Sequence, residues 1–366
     1  MKKISIIIFL LTLFSTLNSP AQNFTTAKKI RTQVDTIGFA SNSDKMDEFM
    51  RRVTSQQGDY IQKTLNDANI TDSTVWKAVI CPHDDYTYVG YLYPALLSHI
   101  KAKTIILIGV CHVAKKFGME NKIIFDSFTH WHMPYGDVPV STFRDSLIKV
   151  LPIEDYVIND SVQQAEHSVE AIIPFLQYYN RDIEIISILV PYMSFERMNE
   201  ISGPLRIAIN KVMSGNNLKW GEDFAIVISN DAVHYGDKDW GDRNFAFYGS
   251  DTAGYNKAVE HEMEIINNCL VGKINPKRIQ MFNGYTVKDS DYKDYKWTWC
   301  GRYSVPFGLS TLYYLSSVAY LDLTGTYVKY ATSIDHPHIS VDDIGMGITA
   351  PANLHHWVGY VAIGYR

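Results

Sequence analysis

"WKAVICPHDDYTYVG", residues 76–90, is the stretch on which the fold turns. Ala78-Val79-Ile80-Cys81 is apolar at every position, without the alternation of a half-exposed strand, and so reads as a strand buried on both faces. Pro82 cannot donate to a sheet ladder and stops it. His83, Asp84 and Asp85 follow at once. The same pattern recurs down the chain. "KTIILIGV" (103–110) runs into Cys111 and His112, "IEIISILVP" (183–191) forms a third apolar run, and "FAIVISN" (224–230) runs into Asp231 and His234.

Helical periodicity fills the spaces between these runs. Residues 41–69 place Met46, Phe49, Met50 and Val53 on one stripe. Helices are predicted over 90–101, 141–150, 194–213, 251–269 and 303–318. "QQAEHSVEAIIPFLQYY" (163–179) reads as a helix stopped or kinked near Pro174. A short strand is predicted at 122–126, a loop at "FTHWHMPYGDVPV" (128–140), and late strands at 326–335 and 356–365. Apolar strands separated by helices predict an α/β fold, a single domain with a mainly parallel central sheet flanked by helices. No internal repeat, low-complexity segment or linker divides the chain.

Composition bounds the function. The chain has 366 residues with 46% hydrophobic and 20% charged content, ordinary for a globular protein. A formal net charge of -5 argues against a nucleic-acid partner, which favours a basic face. The 24 tyrosines suit packing as well as a binding surface. At the N-terminus, Lys2 and Lys3 precede an apolar run from Ile4 to Phe14 and small residues up to Ala21, the layout of a secretory leader. The run is shorter than the ~20 residues a spanning helix needs. The reading is a leader over 1–21, a helical extension over 22–75 and the α/β domain over 76–366. The mature chain is expected to be exported, periplasmic or secreted, without a transmembrane segment. Export permits disulfides among Cys81, Cys111, Cys269 and Cys300. Cys81 and Cys111 each end a strand, so a bridge between neighbouring strands is one of the pairings.

Open α/β sheets bind ligands outside the carboxyl ends of their strands. His83, His112 and the pair Asp231 and His234 all fall there. Imidazoles arriving from separate strands build a transition-metal site or an acid/base cluster. The three-residue spacing of Asp231 and His234 lets the carboxylate reach the imidazole across one turn. In "AEHSVE", His167 and Glu170 would share a helix face behind Glu166, as a ligand pair, a supporting shell or a solvated helix start. His336, His338, His355 and His356 read as surface histidines. "GMGITA" (345–350) does not open a helix after a strand, so it is no dinucleotide loop.

Taken together these segments resemble the Memo proteins, whose bacterial members are called AmmeMemoRadiSam system protein B. "PHDDYTYVG" is similar to the family's Pro-His-Ala-Gly-Tyr segment, "GVCH" to its Gly-Pro-Ser-His turn, and "WHMPYGDV" to its Trp-x-Thr-Pro-Leu-Gly loop. "AEHSVEAIIPFLQ" is the most specific match, and "SNDAVHYG", "CGR" and "VGYVAIGY" complete the order. The resemblance runs from about residue 76 to the C-terminus, with 331–355 as extra material. It implies a fold similar to the class III extradiol dioxygenases and a metal held by His83, His112 and Cys300. It also implies His234 and Asp231 beside that metal, with His234 as proton donor or acceptor. Asp84-Asp85 replaces the family's Ala-Gly, and Cys111 replaces its serine.

The expected function is a redox enzyme or oxygenase using one transition metal ion, iron or copper. Glu166, His167, Asp85 and Cys111 would support the site or meet the substrate. The alternative is a protein that binds a small-molecule or peptide ligand in the same cleft without turnover.

Overall fold

The computed structural model describes residues 27–366, and the leader read over 1–21 lies outside them. The main sheet contains β1 (Ala78–Cys81), β2 (Thr104–Val110), β3 (Ile123–Phe125), β4 (Tyr156–Ile158), β5 (Glu184–Val190), β6 (Phe224–Ser229), β7 (His234–Gly236), β8 (Gly272–Lys273), β9 (Thr324–Thr332) and β10 (His356–Tyr365). In space they run β8-β9-β10-β1-β6-β2-β5-β3-β4, and β7 pairs with β10 off that path. The strands predicted at 76–82, 103–110, 122–126, 183–191, 224–230 and 356–365 are all present.

The sheet is parallel only at its centre. β1, β6, β2 and β5 pair in parallel, as do β3 and β4. β10 lies antiparallel between β9 and β1, and β3 meets β5 antiparallel. The expectation of a mainly parallel sheet is therefore corrected to a mixed one. An apolar run looks the same whether its buried neighbour is parallel or antiparallel. The connection from β9 to β10 holds only the short 3₁₀ turn Asp342–Ile344, with no crossover helix to reverse direction twice.

Each central strand alternates between two cores. Val79, Leu107 and Val227 face the side covered by α1 (Ser43–Asp67) and the short helices Leu92–Leu97 and Ile173–Tyr179. Ile80, Ile106 and Ile226 face the side covered by α3 (Phe195–Gly215) and α5 (Ser304–Val318), which follow α2 (Asp160–Ala165) and α4 (Thr252–Ile265) in chain order. In α1, Asn42 accepts from the Lys45 N–H at 3.0 Å and opens the helix, and Met46, Phe49, Met50 and Val53 pack into the first core as predicted.

Two local readings change. Residues 128–140 are not a loop: His130–Met133 and Gly136–Pro139 form a hairpin, and Ile30–Arg31 adds a parallel third strand. Trp131 and Met133 alternate inward, a period of two that the turn residues Pro134, Tyr135 and Gly136 obscured. The helix over 163–179 is two helices. α2 ends at Ala165, residues 166–172 turn without helix, and Pro174 opens the next helix at its first turn instead of ending one.

That turn is clamped from outside. Arg31 is fully buried, donates from Nε to Gln163 O at 2.9 Å and from Nη2 to Glu166 O at 2.5 Å, and pairs with the buried Glu170. Its guanidinium lies 4.1 Å from the Trp131 ring. Glu170 also accepts from Val34 N and Asp35 N. Removing one member leaves a buried charge without its partner, so Arg31→Ala is expected to cost about 3–5 kcal/mol of unfolding free energy in denaturant titration. A loss below about 1 kcal/mol, the scale of an exposed pair, would show that the clamp does not carry the turn.

Candidate metal centre

Strand register decides what meets at the sheet edge. Cys81 and Ser229 are partners in the parallel β1–β6 pair. Two residues beyond each stand His83 and Asp231, so they leave the sheet side by side. His83 N donates to Asp231 Oδ1 at 2.9 Å. His112 follows β2, the next strand across. The three strand-end predictions thus converge.

Hydrogen bonds fix which nitrogen each imidazole presents. Ser229 Oγ donates to Ser168 O at 2.5 Å and stands 2.7 Å from His83 Nδ1. With its proton committed, the hydroxyl accepts from Nδ1–H, and the lone pair of His83 is on Nε2. Nε2 lies 3.5 Å from Cys300 Sγ and 3.3 Å from Asp231 Oδ2. Burial, then the charges of His112, His167 and His234, holds His83 well below the ordinary histidine range, so it is neutral. Glu166 makes the second assignment. Its Oε1 is 2.8 Å from His112 Nδ1, and its Oε2 accepts from His112 N at 2.6 Å. Burial alone would raise this carboxyl, but His112, His167 and the Ser168 N–H outweigh it and hold the group down to about 2. An ionised carboxylate accepts from Nδ1–H, which leaves the lone pair of His112 on Nε2, free to bind a metal.

Cys300 arrives from a loop. Trp297 and Trp299 each donate from the indole N–H to Glu262 Oε1 at 2.6 Å. Trp299 also bridges to Val233. Gly301 N donates to Asn230 Oδ1 at 3.0 Å, and Ser304 Oγ donates to Ser229 O at 3.0 Å. A Cβ at residue 301 would sit 2.0 Å from Asn230 Oδ1, so only glycine fits there. Asp231 N donates to Cys300 Sγ at 3.1 Å. Burial and the Asp231 carboxylate push the thiol well above its ordinary value.

Donor atoms of His83, His112 and Cys300 all lie within 4.8 Å of one another. Metal bonds of about 2.1 Å to nitrogen and 2.3 Å to sulfur at tetrahedral angles put donors roughly 3.6 Å apart. The 3.5 Å between His83 Nε2 and Cys300 Sγ fits that spacing. Two imidazole nitrogens, a sulfur and a carboxyl oxygen converge, a donor set that suits a cation.

Other predicted residues sort differently. His167 stacks on His112, with ring centroids 4.8 Å apart at 9°. Together with Glu166 it makes a second candidate cluster sharing His112. The expected pairing of His167 with Glu170 fails, because the segment is not helical and Glu170 is held by Arg31. The expected bond from Asp231 to His234 fails too. Asp231 faces His83, and His234 Nδ1 instead meets Ala232 O at 3.3 Å, since β7 turns the residue away onto β10. His234 packs edge-on to Trp240, and burial, then His112, pushes it down to about 4. Asp85 accepts from Thr349 N and Oγ1 and so ties down the 345–350 loop. Burial and Asp84 push it up to about 7. His336 and His338 hydrogen-bond to Tyr88 O and Ser333 O.

All four cysteines are free and buried. A Cys81–Cys111 bridge between neighbouring strands is ruled out by topology: β6 lies between β1 and β2. Two strand spacings are about 9.6 Å, beyond the ~7 Å limit between Cα atoms of a disulfide. Sequence reading missed Ser229, Asn230 and Glu262. The first two stand in the quoted "SNDAVHYG" segment, where a Ser-Asn pair at a strand end was the available signal; Glu262 gave none.

The Memo-like protein family model matches residues 47–347. A MEMO1 family protein of Methanothermobacter thermautotrophicus is 26% identical over 168 residues, covering 44% of this chain and 56% of its own. One from Aquifex aeolicus is 31% identical over 163 residues, covering 43% and 54%. The chain thus spans about half the length of the curated relatives it matches.

Three outcomes test this geometry. Glu166→Gln removes the charge that fixes His112 and is expected to weaken metal binding by about 10–100-fold in a chelator competition. Gly301→Ala is expected to displace Cys300 and lower metal content, and unchanged content would show the loop has room. Glu262 gives a pH signature. Burial pushes its carboxyl up from 4.5 to about 7. Its folded value lies above its unfolded one, so stability is full below the unfolded value and is lost as pH rises through about 7, by about 3 kcal/mol in all. Glu262→Gln is expected to flatten that part of the pH–stability curve. A slope equal to the wild type's would place its origin elsewhere.

Proposed function

The chain belongs to the Memo-like family, and from that premise we propose an exported protein that binds one transition metal ion, iron or copper, and uses it in redox or oxygenase chemistry. One observation carries the reading: His83 Nε2, His112 and Cys300 Sγ converge at the carboxyl edge of the parallel strands with their protons directed elsewhere. The donor set, two imidazoles and one sulfur, suits a borderline or soft transition metal. When bound, such a metal supplies electron transfer or Lewis acidity at its open positions. The likeness to class III extradiol dioxygenases belongs to this proposal, with a thiolate where those enzymes have a carboxylate.

The chain's own residues would work as follows. Ser229 and Glu166 orient the two imidazoles. The Asp231 N–H stabilises charge on Cys300. His234, half-buried against Trp240 and neutral at physiological pH, leaves Nε2 to accept a proton from a bound molecule. Asp231 supports His83 and Cys300, not His234. The basic, apolar and small-residue order of residues 1–21 supports export, and N-terminal sequencing of native material is expected to find a start near Gln22.

Elemental analysis of the purified protein tests the metal. His83→Ala and His112→Ala are each expected to lose most of it while remaining folded, and full retention in both would remove them as ligands. Cys300→Ser is expected to weaken Cu(I) binding more than that of a harder ion. With dioxygen uptake on catechols or simple reductants as the assay, His234→Ala is expected to keep its metal and lose ~10²–10⁴ in rate. Metal binding without uptake would favour the second reading, a ligand-binding protein without turnover.

A further inference from the structure

Arg302 stands two residues past Cys300 and is 5% exposed. It has no carboxylate partner within salt-bridge distance among the described residues. Its guanidinium lies 3.6 Å from the Tyr295 ring, 4.5 Å from Tyr303 and 5.7 Å from Tyr192. Nη2 donates to Lys293 O at 3.3 Å, and Nε has no partner. A buried cation is normally paired with an anion, because leaving it alone costs several kcal/mol. Stacked tyrosines offset part of that cost and leave Nε of the guanidinium without a hydrogen-bond partner.

Arg302 lines a cavity of about 760 Å³ together with Tyr192 and Tyr295. Ala114, two residues past His112, lies on the same wall, so the cavity shares its backbone with two of the candidate metal ligands. Its charges nearly cancel. Lys293 pairs with Glu120 and Arg243 with Asp294. Four cationic side chains line it against three carboxylates, a surplus of one positive charge. Tyrosines and Phe245 give it flat apolar walls.

We infer that Arg302 anchors a flat organic monocarboxylate in this cavity, with the carboxylate against the guanidinium and the body of the ligand between the aromatic walls. Guanidinium edges match carboxylates in two parallel hydrogen bonds, and one surplus charge matches a monoanion better than a phosphate dianion. The anchoring stands on the Arg302 geometry. That the ligand is also the substrate rests on the metal-centred function proposed above.

The test is calorimetric titration of the folded protein with benzoate and with neutral benzamide, both metal-loaded and after chelator treatment. Benzoate is expected to bind in both states and benzamide at least about tenfold more weakly, as for loss of one charge-assisted pair. Arg302→Gln is expected to lose that preference while keeping wild-type metal content, a readout that a merely structural role would not give. Should Arg302→Gln not fold, Arg302→Lys keeps the charge but not the fork, and is expected to lose at least about fivefold in benzoate affinity. Equal affinity for the two probes, no benzoate binding at millimolar concentration, or wild-type affinity in the variant that folds would each overturn the proposal. Because binding is read without metal as well, a failed metal reading leaves this result standing, and the reverse also holds.

Discussion

The site depends on the hydroxyl of Ser229. Its single proton goes to Ser168 O, so toward His83 it can only accept. That commits the His83 proton to Nδ1 and turns Nε2 toward Cys300 and Asp231. One hydroxyl, through two hydrogen bonds, thus links three separate pieces of chain: the end of β6, the turn after α2 and the residue after Pro82. Glu166, from that same turn, does for His112 what Ser229 does for His83. Both imidazoles are oriented from behind by groups held in place by further hydrogen bonds, Ser229 to Ser168 O and Glu166 from the His167 and Ser168 N–H groups.

The turn over 166–172 therefore carries much of the architecture. It gives up helical hydrogen bonding and is held by Arg31 and Glu170 on one side and by close packing on the other. A Cβ on Gly109 would sit 2.5 Å from Val169 and 2.9 Å from Ser168 Oγ, so β2 can approach the turn only through glycine. Cys300 depends on a comparable device. Glu262 gathers two indole N–H groups, and Asn230 fills the space a side chain at Gly301 would need. Buried polar groups are costly unless they are hydrogen-bonded, and the bonds of Glu262 to the two indoles and of Asn230 Oδ1 to Gly301 N hold the Cys300 loop in place.

Much of the fold was legible. The apolar runs at 78–81, 104–110, 184–190 and 224–229 could only be buried strands, and the Met46–Val53 stripe could only be a packed helix. The histidines past two of those runs and the Asp231–His234 segment past a third were legible for the same reason, because parallel strands place their carboxyl ends together. What was misread shares one cause. The hairpin at 130–139, the broken helix at 166–172 and the antiparallel insertion of β10 are all decided by partners remote in sequence, which local periodicity does not register.

Sequence by itself determined the family, the strand and helix inventory of the centre, and the residue types available at the sheet edge, because hydrophobic periodicity and strand-end chemistry are local properties. Only the tertiary structure decided that Asp231 serves His83 and not His234, that Glu166 serves His112 while Glu170 serves Arg31, and that Cys81 and Cys111 stand too far apart to bridge. Those choices follow from strand order and register, in which residues far apart in the chain compete for the same few hydrogen bonds. Spacing along the chain shows what a side chain can reach, and packing leaves it only one partner.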